Sequence, residues 1–63
     1  MRNAIYVYFF LSDVNQEIIG SVKATDIIDA REKIAIIKQL PVDEIDRLFV
    51  IKLKRSKHAN NLQ

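Results

Sequence analysis

The sequence predicts a small α+β domain with the element order β-β-α-β. Three observations predict this class. The chain has only 63 residues, its first apolar segment is rich in β-branched and aromatic residues, and one long amphipathic segment starts at a helix-capping residue and ends at the only proline. We expect residues 1–54 to form a single domain and residues 55–63 to form a basic, polar and flexible C-terminal tail.

The first strand is expected over residues 5–11. Its odd and even positions are both apolar, which is typical of a central strand that is covered on both faces. The apolar run from Ala4 to Leu11 is too short to cross a membrane, which takes about 20 residues, and no signal-peptide cleavage pattern follows it. Together with the lack of cysteine, these features lead us to expect a cytoplasmic protein.

Two further strands are expected. Residues 12–16 are rich in turn-forming side chains and lead into a second strand over residues 17–24, whose single glycine, Gly20, and polar positions give it the character of an edge strand. Residues 48–54 alternate between an apolar and a lysine-containing face, which predicts the third strand.

The helix is expected between the second and third strands. Thr25 or Asp26 caps its first turn, and it runs to about Leu40 because Pro41 disfavours helical backbone in the preceding residue. Residues 42–47 form a connector that could contain one helical turn. Since the hairpin is antiparallel and the helix returns the chain, the third strand can pair with the first, which predicts a fully antiparallel sheet of order 2-1-3.

One helix covers only one face of such a sheet. We assign the odd positions of the first strand to the covered core, with one face of each of the other two strands and one helical stripe. These residues are Ile5, Val7, Phe9, Val22, Phe49, Ile51, Leu53, Ile27, Ala30, Ile34 and Ile37.

The opposite, helix-free face is then expected to be apolar and exposed, which usually marks an interaction surface. Its predicted interface residues are Tyr6, Tyr8, Phe10, Ile19, Leu48 and Val50. Tyrosine is common at protein interfaces because its ring is apolar while its hydroxyl group can stay hydrated. We therefore expect a homodimer or a complex with another protein, joined through this face or through a sheet edge. A partner peptide that adds a strand to the edge of strand two or three is a further alternative.

Charge supports a second hypothesis. The net charge is +2, but residues 1–46 carry five basic and eight acidic side chains, a net −3, whereas residues 47–63 carry five basic side chains and no acidic one. The candidate contacts to nucleic acid are Lys23, Lys52, Lys54, Arg55 and Lys57. In this hypothesis, exposed Tyr6, Tyr8 and Phe10 would stack on unpaired bases. Alternatively, the lysines only protect an edge strand and keep the protein in solution.

Composition argues against an enzyme. The chain has no cysteine, and its single histidine, His58, lies in the expected tail, so nucleophilic catalysis has no evident base. The acidic segment around Asp43 matches no calcium loop, and one glycine cannot build a phosphate-binding loop. We predict no catalytic residue, cofactor or metal site, and no membrane partner. The preferred function is a non-enzymatic interaction module with a regulatory or accessory role.

Overall fold

A computed structural model describes residues 3–54 of the chain. Its elements are β1 (Ala4–Phe10), β2 (Gly20–Ala24), α1 (Ile27–Lys38), α2 (Val42–Leu48) and β3 (Phe49–Leu53). The strands form one antiparallel sheet in the order β2-β1-β3. The predicted α+β class, strand order and central first strand are confirmed. The predicted tail, residues 55–63, lies outside the described residues.

Helix α1 begins at the predicted cap. The Asp26 carboxylate accepts a hydrogen bond from the backbone N–H of Asp29 at 2.8 Å, and the Asp29 carboxylate accepts one from the backbone N–H of Thr25 at 3.0 Å. Two backbone donors at the start of the helix are thereby satisfied reciprocally, in the manner of a capping box. The bond from Thr25 is the main reason why the pKa of Asp29 lies below its usual value.

The helix ends one turn before the second helix begins. Gln39 adopts a left-handed backbone conformation, with φ 58° and ψ 46°, and the N–H of Leu40 donates to the Ala35 carbonyl at 3.0 Å. This arrangement satisfies carbonyl groups that the last turn would otherwise leave free. Pro41 then serves as the N-cap of α2.

Helix α2 occupies the segment that we expected to be a connector. Its apolar residues Val42, Ile45 and Leu48 recur every three positions, and Ile45 is fully buried. Ile45 packs in one cluster with Tyr8 and Phe49. The second helix therefore covers part of the sheet that a single helix would leave exposed.

Strand register decides which face of β1 meets the helices. Tyr8 lies opposite Gly20 on β2 and opposite Ile51 on β3, and directly opposed residues point to the same face. The even positions of β1 therefore face the helices, and Tyr6 and Tyr8 are buried with only 9% and 4% of their surface exposed. The buried apolar residues on this side are Tyr6, Tyr8, Ala24, Ala30, Ile34, Ala35, Ile45 and Phe49.

The assignment of Ile5, Val7 and Phe9 to the helix-covered core is therefore wrong. These residues alternate with Tyr6 and Tyr8 along β1 and so lie on the other face. The helical stripe is also narrower than predicted, because Ile27 and Ile37 are exposed while Ala30, Ile34 and Ala35 supply the buried side of α1.

The close approach of Tyr8 to Gly20 explains the only glycine. A Cβ atom on Gly20 would lie 2.5 Å from the Tyr8 hydroxyl oxygen and 2.7 Å from its Cζ atom. The Tyr8 ring thus occupies the space that a side chain at position 20 would need. On its other side it meets the Phe49 ring edge-on, with a centroid separation of 5.7 Å, a favourable aromatic geometry.

Truncation of Ile45 tests whether α2 belongs to the core. Ile45→Ala removes a fully buried side chain and should lower the free energy of unfolding by about 2–5 kcal/mol, as measured by urea denaturation. Ile36→Ala is the matched control, because Ile36 is 76% exposed on α1. Similar losses in the two variants would contradict the packing of α2.

Candidate functional site

The side of the sheet opposite the helices is the candidate functional surface. We define the open face as the residues of the three strands that point away from the helices, together with Lys54, which extends β3. They are Ile5, Val7, Phe9, Ser21, Lys23, Val50, Lys52 and Lys54. Lys54 belongs to this set because its N–H donates to the Ile5 carbonyl at 2.8 Å and continues the β1–β3 ladder by one residue.

The centre of the open face is apolar and its margins are basic. Ile5 on the central strand is 38% exposed, with Lys23 opposite it on β2 and Lys54 opposite it on β3. The next residue of the same face, Val7, lies between Ser21 and Lys52. An apolar strip is therefore flanked by ammonium groups on both neighbouring strands.

Phe9 is buried although neither α1 nor α2 lies on its side of the sheet. Only 5% of its surface is exposed, and the Lys52 ammonium nitrogen lies 5.7 Å from the centroid of its ring. This is cation–π geometry, in which the lysine stem also shields apolar surface. Lys52 thus leans inward, towards the central strand and away from the outer edge of β3.

The charges of the domain are segregated. The three strands contain Lys23 and Lys52 but no Asp or Glu, and Lys54 follows directly. The acidic side chains of the helical layer are paired in part: Asp46 lies 3.6 Å from Arg31, and Asp29 lies 3.3 Å from Lys33. The open face therefore has a positive character that the opposite layer does not share.

The predicted interface residues do not form one surface. Tyr6 and Tyr8 are enclosed by the helices, so the prediction that they form an exposed interface is wrong. Phe10 also points to the helix side, where it stacks on Phe49 with a centroid separation of 5.2 Å. Of the six predicted residues, only Val50 lies on the open face.

The two other predicted interface residues lie beside the sheet. Ile19 is exposed just before β2, and its N–H donates to the Tyr8 carbonyl at 2.9 Å. Leu48 is exposed at the end of α2, and its carbonyl accepts from Leu11 at 2.9 Å. Both are accessible, but neither is one of the strand residues that make up the open face.

Three of the five basic residues predicted to contact nucleic acid lie on the same surface. Lys23, Lys52 and Lys54 are exposed on the open face, whereas Arg55 and Lys57 lie outside the described residues. What the sequence reasoning missed is the apolar strip of Ile5 and Val7 between these lysines. The alternation of Ser21 and Lys23 against Val22 and Ala24 could have indicated it, had the pairing with β1 been known.

Within residues 3–54, no group of three or more His, Asp or Glu side chains is placed to hold a metal ion. Neither helix in this range is long and apolar enough to span a membrane, and the compartment stays a prediction. Comparison with protein-family models, curated proteins and solved structures finds no match.

Proposed function

We propose that this chain is a non-enzymatic protein-interaction module that works as a homodimer joined through its β-sheet, in a regulatory or accessory role. The observation that supports the proposal is the large number of exposed apolar side chains compared with the few that are fully buried. Among the described residues, thirteen large apolar side chains are exposed, whereas Ile34 and Ile45 are the only large side chains with almost no exposed surface.

This balance is unfavourable for an isolated subunit. A domain of this size buries only roughly 60% of the surface of its unfolded chain, and small domains usually gain stability from disulfides, metals or association. The chain has no cysteine. Association through the sheet would cover exposed apolar surface such as that of Leu53, which is 50% exposed on β3.

The solution mass of the full 63-residue chain tests this proposal. We expect sedimentation equilibrium to give twice the 7.3 kDa chain mass, because a second copy would cover the exposed apolar surface of the sheet. A mass of one chain at every concentration would contradict it.

A control variant tests whether the copies associate through the exposed face of α1 instead of the sheet. Ile36→Ser alters the most exposed isoleucine of α1, on the side of the molecule away from the sheet, and should leave the mass doubled. If Ile36→Ser alone gave monomers, the copies would associate through the helices, and the sheet would not be the interface.

Nucleic-acid binding is the second candidate, favoured by one observation. Lys23, Lys52 and Lys54 share a surface whose strands contain no carboxylate, which suits a phosphate backbone. Base stacking by Tyr6 and Tyr8 no longer supports this candidate, because both rings are buried. Any binding would therefore depend mainly on charge and little on base sequence.

Fluorescence anisotropy with single-stranded and duplex oligonucleotides tests this candidate. If it holds, binding at about 50 mM salt should weaken steeply as salt is added, and Lys52→Gln/Lys54→Gln should reduce the salt dependence. Absence of binding at low salt would remove the candidate.

A further inference from the structure

The two edges of the sheet differ in how they are protected. On the β2 side, the Lys33 ammonium group of α1 donates to the Lys23 carbonyl at 2.7 Å, so a charged side chain from the helix is bound to this edge strand. Charged groups at a sheet edge are a common protection against pairing with another chain. On the β3 side, Lys52 leans inward over Phe9, so its ammonium group does not lie along the outer edge.

The hydrogen-bonding pattern shows which groups of β3 point outward. The N–H of Lys54 donates to Ile5, and that of Leu11 donates to Leu48. Because hydrogen-bonded and non-hydrogen-bonded pairs alternate in an antiparallel ladder, Val50 and Lys52 also bond to β1. The backbone groups of Phe49, Ile51 and Leu53 consequently point away from β1, towards the free edge.

Most of these outward groups are available. Within residues 3–54, no backbone partner occurs for the outward N–H and C=O groups of Ile51 and Leu53 or for the Phe49 carbonyl. The Phe49 N–H is used, because it donates to the Ile45 carbonyl at the end of α2. Towards the rest of the described chain, residues 3–54, the β3 edge thus leaves two donors and three acceptors without a backbone partner.

We propose that this edge pairs antiparallel with β3 of a second copy of the chain, with the two-fold axis at Ile51, to give one continuous six-stranded sheet. The proposal rests on the proposed function, since it names the surface through which the dimer forms. In this register the two Ile51 residues exchange two hydrogen bonds, and the Leu53 N–H of each copy donates to the Phe49 carbonyl of the other.

The side chains favour this register over its neighbours. With the axis at Ile51, Lys52 lies opposite Val50 of the second copy, so this lysine meets an apolar residue of the same face. With the axis at Lys52, the two Lys52 ammonium groups would be directly opposed, which is destabilising. With the axis at Val50, the Ile51 carbonyl in the middle of the pairing would face the Phe49 N–H, which is already bonded. With the axis at Ile51, that N–H faces only the Leu53 carbonyl at the end of the pairing.

Chemical cross-linking locates the interface. The natural chain has no cysteine, so Lys52→Cys introduces a single thiol. In the proposed pairing the two residues at position 52 are diagonal neighbours about 7–8 Å apart, and a short bis-maleimide should join them. Lys23→Cys is the matched control on the same face, because five strand spacings, on the order of 24 Å, would separate its two copies.

The outcomes separate this inference from the proposed function. A doubled mass with cross-linking of Lys52→Cys but not of Lys23→Cys supports both. A doubled mass with cross-linking of Lys23→Cys alone, or of neither variant, overturns the pairing at β3 and leaves the proposed dimer standing. A monomeric chain overturns both.

A proline substitution tests the backbone pairing itself. The N–H of Leu53 points outward, so Leu53→Pro removes one donor of the proposed interface without removing a bond to β1. We expect Leu53→Pro to be monomeric at concentrations where Leu53→Ala, which also loses the side chain, remains dimeric. Circular dichroism should show that both variants stay folded. Equal dimerisation of the two folded variants would contradict the pairing.

If Leu53→Pro fails to fold, a change in the backbone alone can test the same hydrogen bond, with every side chain retained. An ester in place of the peptide bond that precedes Leu53 removes the same N–H and keeps the side chain. The ester-containing chain should dimerise at least tenfold more weakly than the all-amide chain, because two donors are lost in each dimer. Unchanged dimerisation would overturn the pairing.

Discussion

The packing of the Tyr8 ring between the sheet and the helices is the interaction on which the rest of the fold depends. The ring lies across Gly20 on one neighbouring strand, meets Phe49 on the other strand, and clusters with Ile34 of α1 and Ile45 of α2. One side chain thus contacts four of the other elements or their first residues. Its position determines which face of the central strand is buried beneath the helices and therefore which face points away from them.

The sequence was sufficient for the elements and their order, because those depend on local signals. The cap at Asp26, the stop before Pro41 and the apolar character of β1 each act within a few residues. The alternation of lysine and apolar residues in β3 correctly predicted that Phe49 and Ile51 face the helices. The sequence also indicated a helical turn after Pro41, although it gave no sign that Ile45 would be fully buried.

The face of β1 could not be predicted because it depends on register. Both sets of alternating residues in β1 are apolar, so their hydrophobicity does not show which set is buried. A shift of one residue in the strand pairing exchanges the two faces. The length and shape of the loop between β1 and β2 set that register, and nothing in its composition determines them. The glycine was the one local clue, since a residue without a side chain in a strand often marks the close approach of a bulky neighbour.

Because the even positions of β1 face the helices and the odd positions face away, the exposed side of the sheet has a different chemistry from the one that the sequence predicted. Of the aromatic rings that would have stacked on bases, Tyr6 and Tyr8 are in the core and Phe10 lies on the helix side, and the surface away from the helices is instead an aliphatic strip between lysines. The two edges of the sheet also differ: Lys33 of α1 is bonded to the Lys23 carbonyl of β2, whereas the outward groups of Ile51 and Leu53 on β3 have no backbone partner within residues 3–54. When only the β3 edge pairs, two copies form a closed pair that does not grow into a longer assembly.

The orientation of β1 can be measured directly by nuclear Overhauser contacts in solution. The structure predicts contacts from the Tyr8 ring protons to the methyl groups of Ile34 and Ile45, and contacts from the Phe9 ring to the Lys52 side chain. Contacts from the Phe9 ring to Ile34, together with none from Tyr8, would contradict the account, because they would place the opposite face of the central strand beneath the helices.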